Sequence, residues 1–191
     1  MARVEQRLSW LRVPEDDEVP DEVRELWAQP LEKLGFVPHV LRVMALRPRL
    51  LLGWWQFYDE LMRGESGLTK AQREMIAVVV SAQNRCHYCI VSHGAALRKL
   101  TGDPPLVDRL ATNWKYADLE PRERAMLAYA VKLTEASPQC AEDDVQVLRE
   151  AGWTDEDILD IAQVAAMFNF TNRLASGLGW IPNEQYFALG R

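Results

Sequence analysis

The sequence predicts an all-α fold. Apolar residues recur at helical spacing in one segment after another, and each such segment is bracketed by a capping residue, a glycine or a proline. No stretch alternates apolar and polar residues as a half-buried strand does. A possible internal repeat points the same way. "GLTKAQREMIAVVVSAQN" (67–84) lies over "GWTDEDILDIAQVAAMFN" (152–169) without gaps and matches at six of eighteen positions.

Residues 1–24 are charge-rich, contain Pro14 and Pro20, and read as an extended arm lying on the body or on a partner subunit. Residues 25–191 form a single helical domain. "DEVRELWAQPLEKLG" reads as a helix capped by Asp21, with Val23, Leu26 and Trp27 inward and Gly35 as its stop. "PHVLRVMALRP" is a short helix between two prolines. "RLLLGWWQFYDELMRGESG" places Leu51, Trp54, Trp55, Tyr58, Leu61 and Met62 at helical spacing.

"LTKAQREMIAVVVSAQN" starts at a capping Thr69. Its "IAVVV" run suits a buried strand too, but the helix-forming "TKAQREM" before it decides for a helix. "EPRERAMLAYAVKLTEA", "AEDDVQVLREAG" and "TDEDILDIAQVAAMFNFTNRLASGLG" complete the set. Thr154 caps the last of these, and Gly177 and Gly179 end it.

Bulk properties narrow the function. The chain has 191 residues, 48% of them hydrophobic, enough for one substantial core. A net charge of −6 argues against nucleic-acid binding and against an anionic membrane surface. No apolar run approaches the ~18 residues of a membrane span, and the charged N-terminus lacks a signal peptide's apolar core. The expectation is a cytoplasmic protein.

Chemistry concentrates in "NRCHYCIVSHG" (84–94), which holds two of the three cysteines and two of the three histidines. On a helix capped by Asn84, Cys86, Cys89 and His93 share one face within about 60°, while His87 and Tyr88 point away. A helix N-terminus stabilises a thiolate, a nearby histidine can take the thiol proton, and a second cysteine can close a disulfide on an oxidised first one. Glu74, on the preceding helix, is the candidate to orient His93.

Zinc would use the same residues. Structural zinc wants four ligands, however, so Cys140 or His39 would have to arrive from far away. A thioredoxin-like domain requires strands. The aromatic cluster "GWWQFYDE" reads as helix core. Asn169, Asn172 and Arg173 read as polar groups bracing the Glu74 helix or a neighbouring subunit.

Glu74, Cys86, Cys89 and His93 together resemble the E-x11-C-x-x-C-x3-H signature of the alkylhydroperoxidase D-like branch of the carboxymuconolactone decarboxylase superfamily. The peroxidase-related subgroup is especially similar, through "LGFVPHVLRVMALRP", "CHYC" and "FNFTNRLASGLG". The resemblance implies an all-helical homo-oligomer that reduces hydroperoxides through thiols, with no metal and no other cofactor. It implies Cys89 as the peroxidatic thiol, Cys86 as the resolving thiol, and His93 backed by Glu74 as a proton relay. The products would be an alcohol and a Cys86–Cys89 disulfide, re-reduced by a thiol or dithiol donor. One position departs: those proteins carry a histidine directly before the second cysteine, where this chain has Tyr88. The alternatives are a non-catalytic redox- or zinc-sensing protein and a lactone decarboxylase-like enzyme, the latter not expected to need the C-x-x-C pair.

Overall fold

α4 (Lys70–Gln83) is the axis of the molecule. In the computed structural model, which describes residues 7–191, it packs against α5 (His87–Thr101), α6 (Pro104–Asn113), α7 (Pro121–Ala136) and α9 (Asp155–Gly177). Contacts on every side explain its sequence. Residues 76–80 are fully buried, and a helix buried all round is apolar all round. The valine run is therefore helix, not strand. Truncating Ile76 here would cost about 2–5 kcal/mol.

The remaining helices are α1 (Asp21–Leu34), α2 (His39–Met44), α3 (Pro48–Arg63), α8 (Glu142–Glu150) and the short α10 (Gln185–Ala188). No strand occurs among the described residues. A smaller core of Val23, Trp27, Leu41 and Leu51 joins α1, α2 and α3 beside the main one. Asp21 is the first helical residue of α1 rather than its cap; Pro20 holds the cap position. The carboxylate still faces the positive helix end.

α6 and α10 are helices that the apolar pattern did not reveal. α6 nonetheless carries a clear start signal: the Asp103 side chain accepts from the Leu106 N–H at 3.0 Å, and Pro104 occupies the first helical position.

The first six residues of the expected arm lie outside the described residues. Residues 7–20 form no helix. They lie on the body: the Trp10 N–H donates to the Leu178 carbonyl at 2.9 Å, the Ile181 N–H donates to the Leu8 carbonyl at 3.2 Å, and Ser9 is buried.

The two repeat-related helices, α4 and α9, pack against each other. Each starts with a capping box, Thr69 with Gln72 and Thr154 with Asp157, at equivalent positions. The equivalent asparagines meet: Asn84 Nδ2 donates to Asn169 Oδ1 at 3.0 Å. Past that point the copies diverge. α9 runs on to Gly177, whereas the first copy breaks after Asn84 and begins α5.

Candidate active site

The break after α4 builds the site. The Cys86 N–H donates to the Ser81 carbonyl at 2.9 Å and the Arg85 N–H to the Ala82 carbonyl at 3.0 Å. This is the Schellman pattern, whose turning residue is left-handed and usually glycine. Here that residue is Arg85, with φ of 52°. The turn makes Asn84 the C-cap of α4, not the N-cap of α5, and hands the N-cap position to Cys86. Cys89 is then the third residue of α5. Cys86 is not helical, so an angular frame drawn from it is rotated. Tyr88, expected off the reactive face, in fact lines the same cavity as Cys89.

The two sulfurs, both free thiols and both buried, carry opposite electrostatics. Cys86 is lowered from an ordinary thiol's range to about 6. The chief cause is the hydrogen bond from the Cys89 thiol; the Cys89 backbone N–H, the Ser176 side chain and the charge of His93 add to it, while burial opposes it. The Cys86 side chain makes no close capping bond to a backbone amide. Cys89 is raised well above the ordinary thiol, first by its thiol's interaction with Cys86, then by burial. Asn172 and Thr171, from α9, pull the other way. Of the two thiols, Cys86 is therefore the one favoured to ionise.

His93 stands one turn beyond Cys89. Its Nδ1–H donates to Glu74 Oε2 at 2.7 Å, and both side chains are mostly buried. In the neutral ring that bond leaves Nε2 as the nitrogen able to take a proton. Phe168 packs edge-on against the imidazole at 4.5 Å between ring centres and fixes its plane. Glu74 is held in register by its neighbour: buried Arg73 donates to the carbonyls of Leu61 at 3.0 Å and Gly64 at 2.9 Å, tying α4 to the end of α3.

Cys89, His93 and Glu74 line one cavity of about 450 Å³, within the usual range for small-molecule sites. Its walls include Trp54 and Tyr58, stacked at 5.0 Å, together with Trp55, Phe168, Trp180 and Tyr186. Cys86 is not among the lining residues. The lowered thiol and the cavity-lining thiol are therefore different sulfurs.

All four residues singled out in the sequence meet here, with Cys86 directly behind Cys89. His39 and Cys140 do not join them. His39 Nδ1 is engaged by the Ile181 carbonyl at 2.8 Å, and Cys140 follows a turn near Tyr129. Among the described residues no group of three or more His, Cys, Asp or Glu side chains is arranged to hold a metal. His87 is exposed beside Phe187.

Tyr88 is buried, and its hydroxyl accepts from the Val40 N–H at 2.9 Å, tying α5 to α2. Tyr58, pushed far up by burial and then by the Glu74 charge, stays a neutral phenol in the cavity wall. Trp180 and Tyr186 come from the chain's end, and no spacing rule in the sequence connects them to the thiols. Asn172 does brace the Glu74 helix as its residue type suggested: it donates to Ser81 at 3.0 Å, accepts from Asn84 at 2.9 Å, and lies against the Cys89 sulfur.

Comparison with known proteins agrees with this fold. The model of the carboxymuconolactone decarboxylase family matches residues 48–105 and 104–181, two successive matches that parallel the internal repeat. The structure is similar to the alkylhydroperoxidase AhpD core of a peroxidase-related protein from Ralstonia eutropha, at 43% identity, 97% coverage of both chains and a TM-score of 0.94. It is equally similar in shape to a peroxidase-related protein from Silicibacter, at 46% identity, with the same coverage and TM-score. Sestrin-2 of Bos taurus is 24% identical over 161 residues, which is 82% of this chain but 33% of that protein. The chain thus spans a third or less of the sestrins it matches. No helix among the described residues is long and apolar enough to cross a membrane.

Proposed function

The chain belongs to the carboxymuconolactone decarboxylase family, and from that premise we propose that it is an alkylhydroperoxidase-like enzyme reducing organic hydroperoxides through the Cys86–Cys89 pair. The observation that carries this reading is the geometry of the pair: Cys89 lines an apolar cavity with the Glu74–His93 pair, while Cys86, whose thiol is lowered, lies behind it.

The steps balance as follows. The Cys89 proton passes to His93 Nε2, directly or through a water. The Cys89 thiolate attacks the terminal peroxide oxygen, the O–O bond breaks, and the alkoxide takes a proton from the imidazolium and leaves as an alcohol. Cys89 is now a sulfenic acid. The Cys86 thiolate attacks its sulfur, the S–O bond breaks, and the departing hydroxide takes a proton from solvent and leaves as water. One hydroperoxide has gained two electrons and the pair has become a disulfide. A dithiol donor then reduces it by exchange. Glu74 keeps Nδ1 as the bonded nitrogen and balances the imidazolium. Cys86 is already ionised, so resolution waits for no further deprotonation.

The test is turnover of cumene hydroperoxide with dithiothreitol. Wild-type protein should consume it catalytically, and Cys89→Ser should abolish consumption. Wild-type turnover by Cys89→Ser rejects the reading.

A second reading has one observation in its favour. The Glu74–His93 pair in an apolar cavity also suits abstraction of a carbon-bound proton, as a lactone decarboxylase-like reaction would need. Activity of that kind surviving loss of both cysteines would select it.

A further inference from the structure

The cavity's charge is opposite to the chain's. The molecule carries −6 overall, yet the cavity is lined by three cations, Arg63, Lys70 and Lys99, and by one carboxylate, Glu74, which is already bonded to His93. The three cations sit at the ends of three helices that converge on one mouth: Arg63 is the last residue of α3, Lys70 the first of α4, and Lys99 lies in the last turn of α5. All three are exposed, whereas Cys89 at the other end is 3% exposed. Arg63 is partly engaged, pairing with Asp59 and lying over the Trp55 ring at 5.2 Å. Among the described residues Lys70 and Lys99 make no ion pair.

Geometry gives the distance between the two ends. Cys89 and Lys99 both line the cavity from α5, ten residues apart, which is about 15 Å along a helix. Between them stand Trp54, Tyr58, Phe168 and, near the rim, exposed Leu34 and Leu100. A molecule of hydrogen-peroxide size fills little of 450 Å³, since a water occupies only about 30 Å³. Hydrogen peroxide would also leave the apolar walls wet and the ammonium groups unused.

We propose that the cavity takes a hydroperoxide of a long-chain carboxylic acid, with its peroxide at Cys89, its hydrocarbon body along the aromatic wall and its carboxylate at Lys70 and Lys99, with Arg63 beside them. The proposal rests on the hydroperoxide reading for its chemistry, but the recognition it describes can be measured without any turnover.

Two experiments separate the two ideas. Tryptophan fluorescence titrations compare linoleic acid with its methyl ester on the reduced protein and on the Lys70→Ala/Lys99→Ala double variant. The acid should bind roughly tenfold more tightly than the ester at low salt, as expected for a few partly screened ion contacts, and the advantage should shrink in salt and in the double variant. Equal affinity for acid and ester, or an advantage that the double variant keeps, overturns the proposal. In the turnover assay, linoleic acid hydroperoxide should show a KM roughly tenfold below that of its methyl ester, and that ratio should collapse in the double variant. If cumene hydroperoxide is reduced but the acid and ester do not differ, the proposal fails and the peroxidase reading survives. If no hydroperoxide is reduced while the acid still binds selectively, the peroxidase reading fails and the carboxylate site stands.

Discussion

Cys86 holds the N-cap position of the helix in which Cys89 is the third residue, and the two neighbouring thiols are shifted in opposite directions, Cys86 down and Cys89 up. Cys89 lines the cavity and Cys86 does not, so the lowered thiol lies behind the raised one.

The reduced protein should contain one thiolate that titrates near pH 6, where Cys86 is placed. Absorbance at the thiolate band, followed from pH 4 to 10, should show this step, and Cys86→Ser should remove it. The sign for stability follows. A folded value below the unfolded thiol's contributes stability that is fully present above the unfolded value and is lost as pH falls through about 6. Cys89, held protonated, subtracts only above the unfolded thiol range. The reduced protein should therefore gain stability between about pH 6 and pH 9 relative to Cys86→Ser, read as the difference in denaturant midpoint. A flat difference across that window contradicts the assignment.

Glu74→Gln keeps the shape of the pair but removes the negative charge that balances an imidazolium. The fold should hold, and kcat/KM for hydroperoxide should fall by about 10²-fold, at the lower end of what positioned acid–base groups contribute. A loss below threefold would leave His93 acting without Glu74.

Tyr88→Phe removes the hydroxyl that accepts the half-buried Val40 N–H. A half-buried amide left unpaired costs about 1 kcal/mol, the lower end of the range for buried groups, which in a chain of this size lowers Tm by roughly 2–4 °C. The thiolate titration should stay within a few tenths of a pH unit. Unaltered stability with a displaced titration would mean that Tyr88 acts on the thiols instead of anchoring α2.

Arg85 holds a left-handed conformation that glycine adopts without strain. Relief of about 1–2 kcal/mol is offset by the larger entropy glycine loses on folding, so Arg85→Gly should change stability by less than about 1 kcal/mol. Arg85→Val, branched at Cβ in a region closed to it, should lower Tm by several degrees and reduce thiol reactivity, because the turn sets the Cys86 cap.

The Arg85 turn also marks where the sequence stopped being readable. The helix class, the long amphipathic segments and the four candidate site residues are all written in local spacing, and the structure brings Glu74 to His93 as its place on the preceding helix suggested. The turn between α4 and α5 carries no glycine, so Asn84 looked like the start of a helix when it is the end of one. That single shift moved Cys86 off the helix and Tyr88 onto the cavity. α6 went unassigned although Asp103 and two prolines announce it, because its apolar face is narrow: only Val107 and Leu110 are buried. Asn172, Trp180 and Tyr186 reach the site through tertiary packing from residues some 80 or more positions away, and no periodicity records that.

The central claim is that oxidation starts on Cys89 and not on the more acidic Cys86. Single-cysteine variants decide it. Reduced Cys86→Ser and Cys89→Ser are each given one equivalent of cumene hydroperoxide with a dimedone trap, and the adduct is located by peptide mass spectrometry. The account predicts a near-stoichiometric sulfenic acid adduct on Cys89 in Cys86→Ser and almost none in Cys89→Ser. An adduct that forms on Cys86 in Cys89→Ser, with Cys89 unreactive in the other variant, would contradict it.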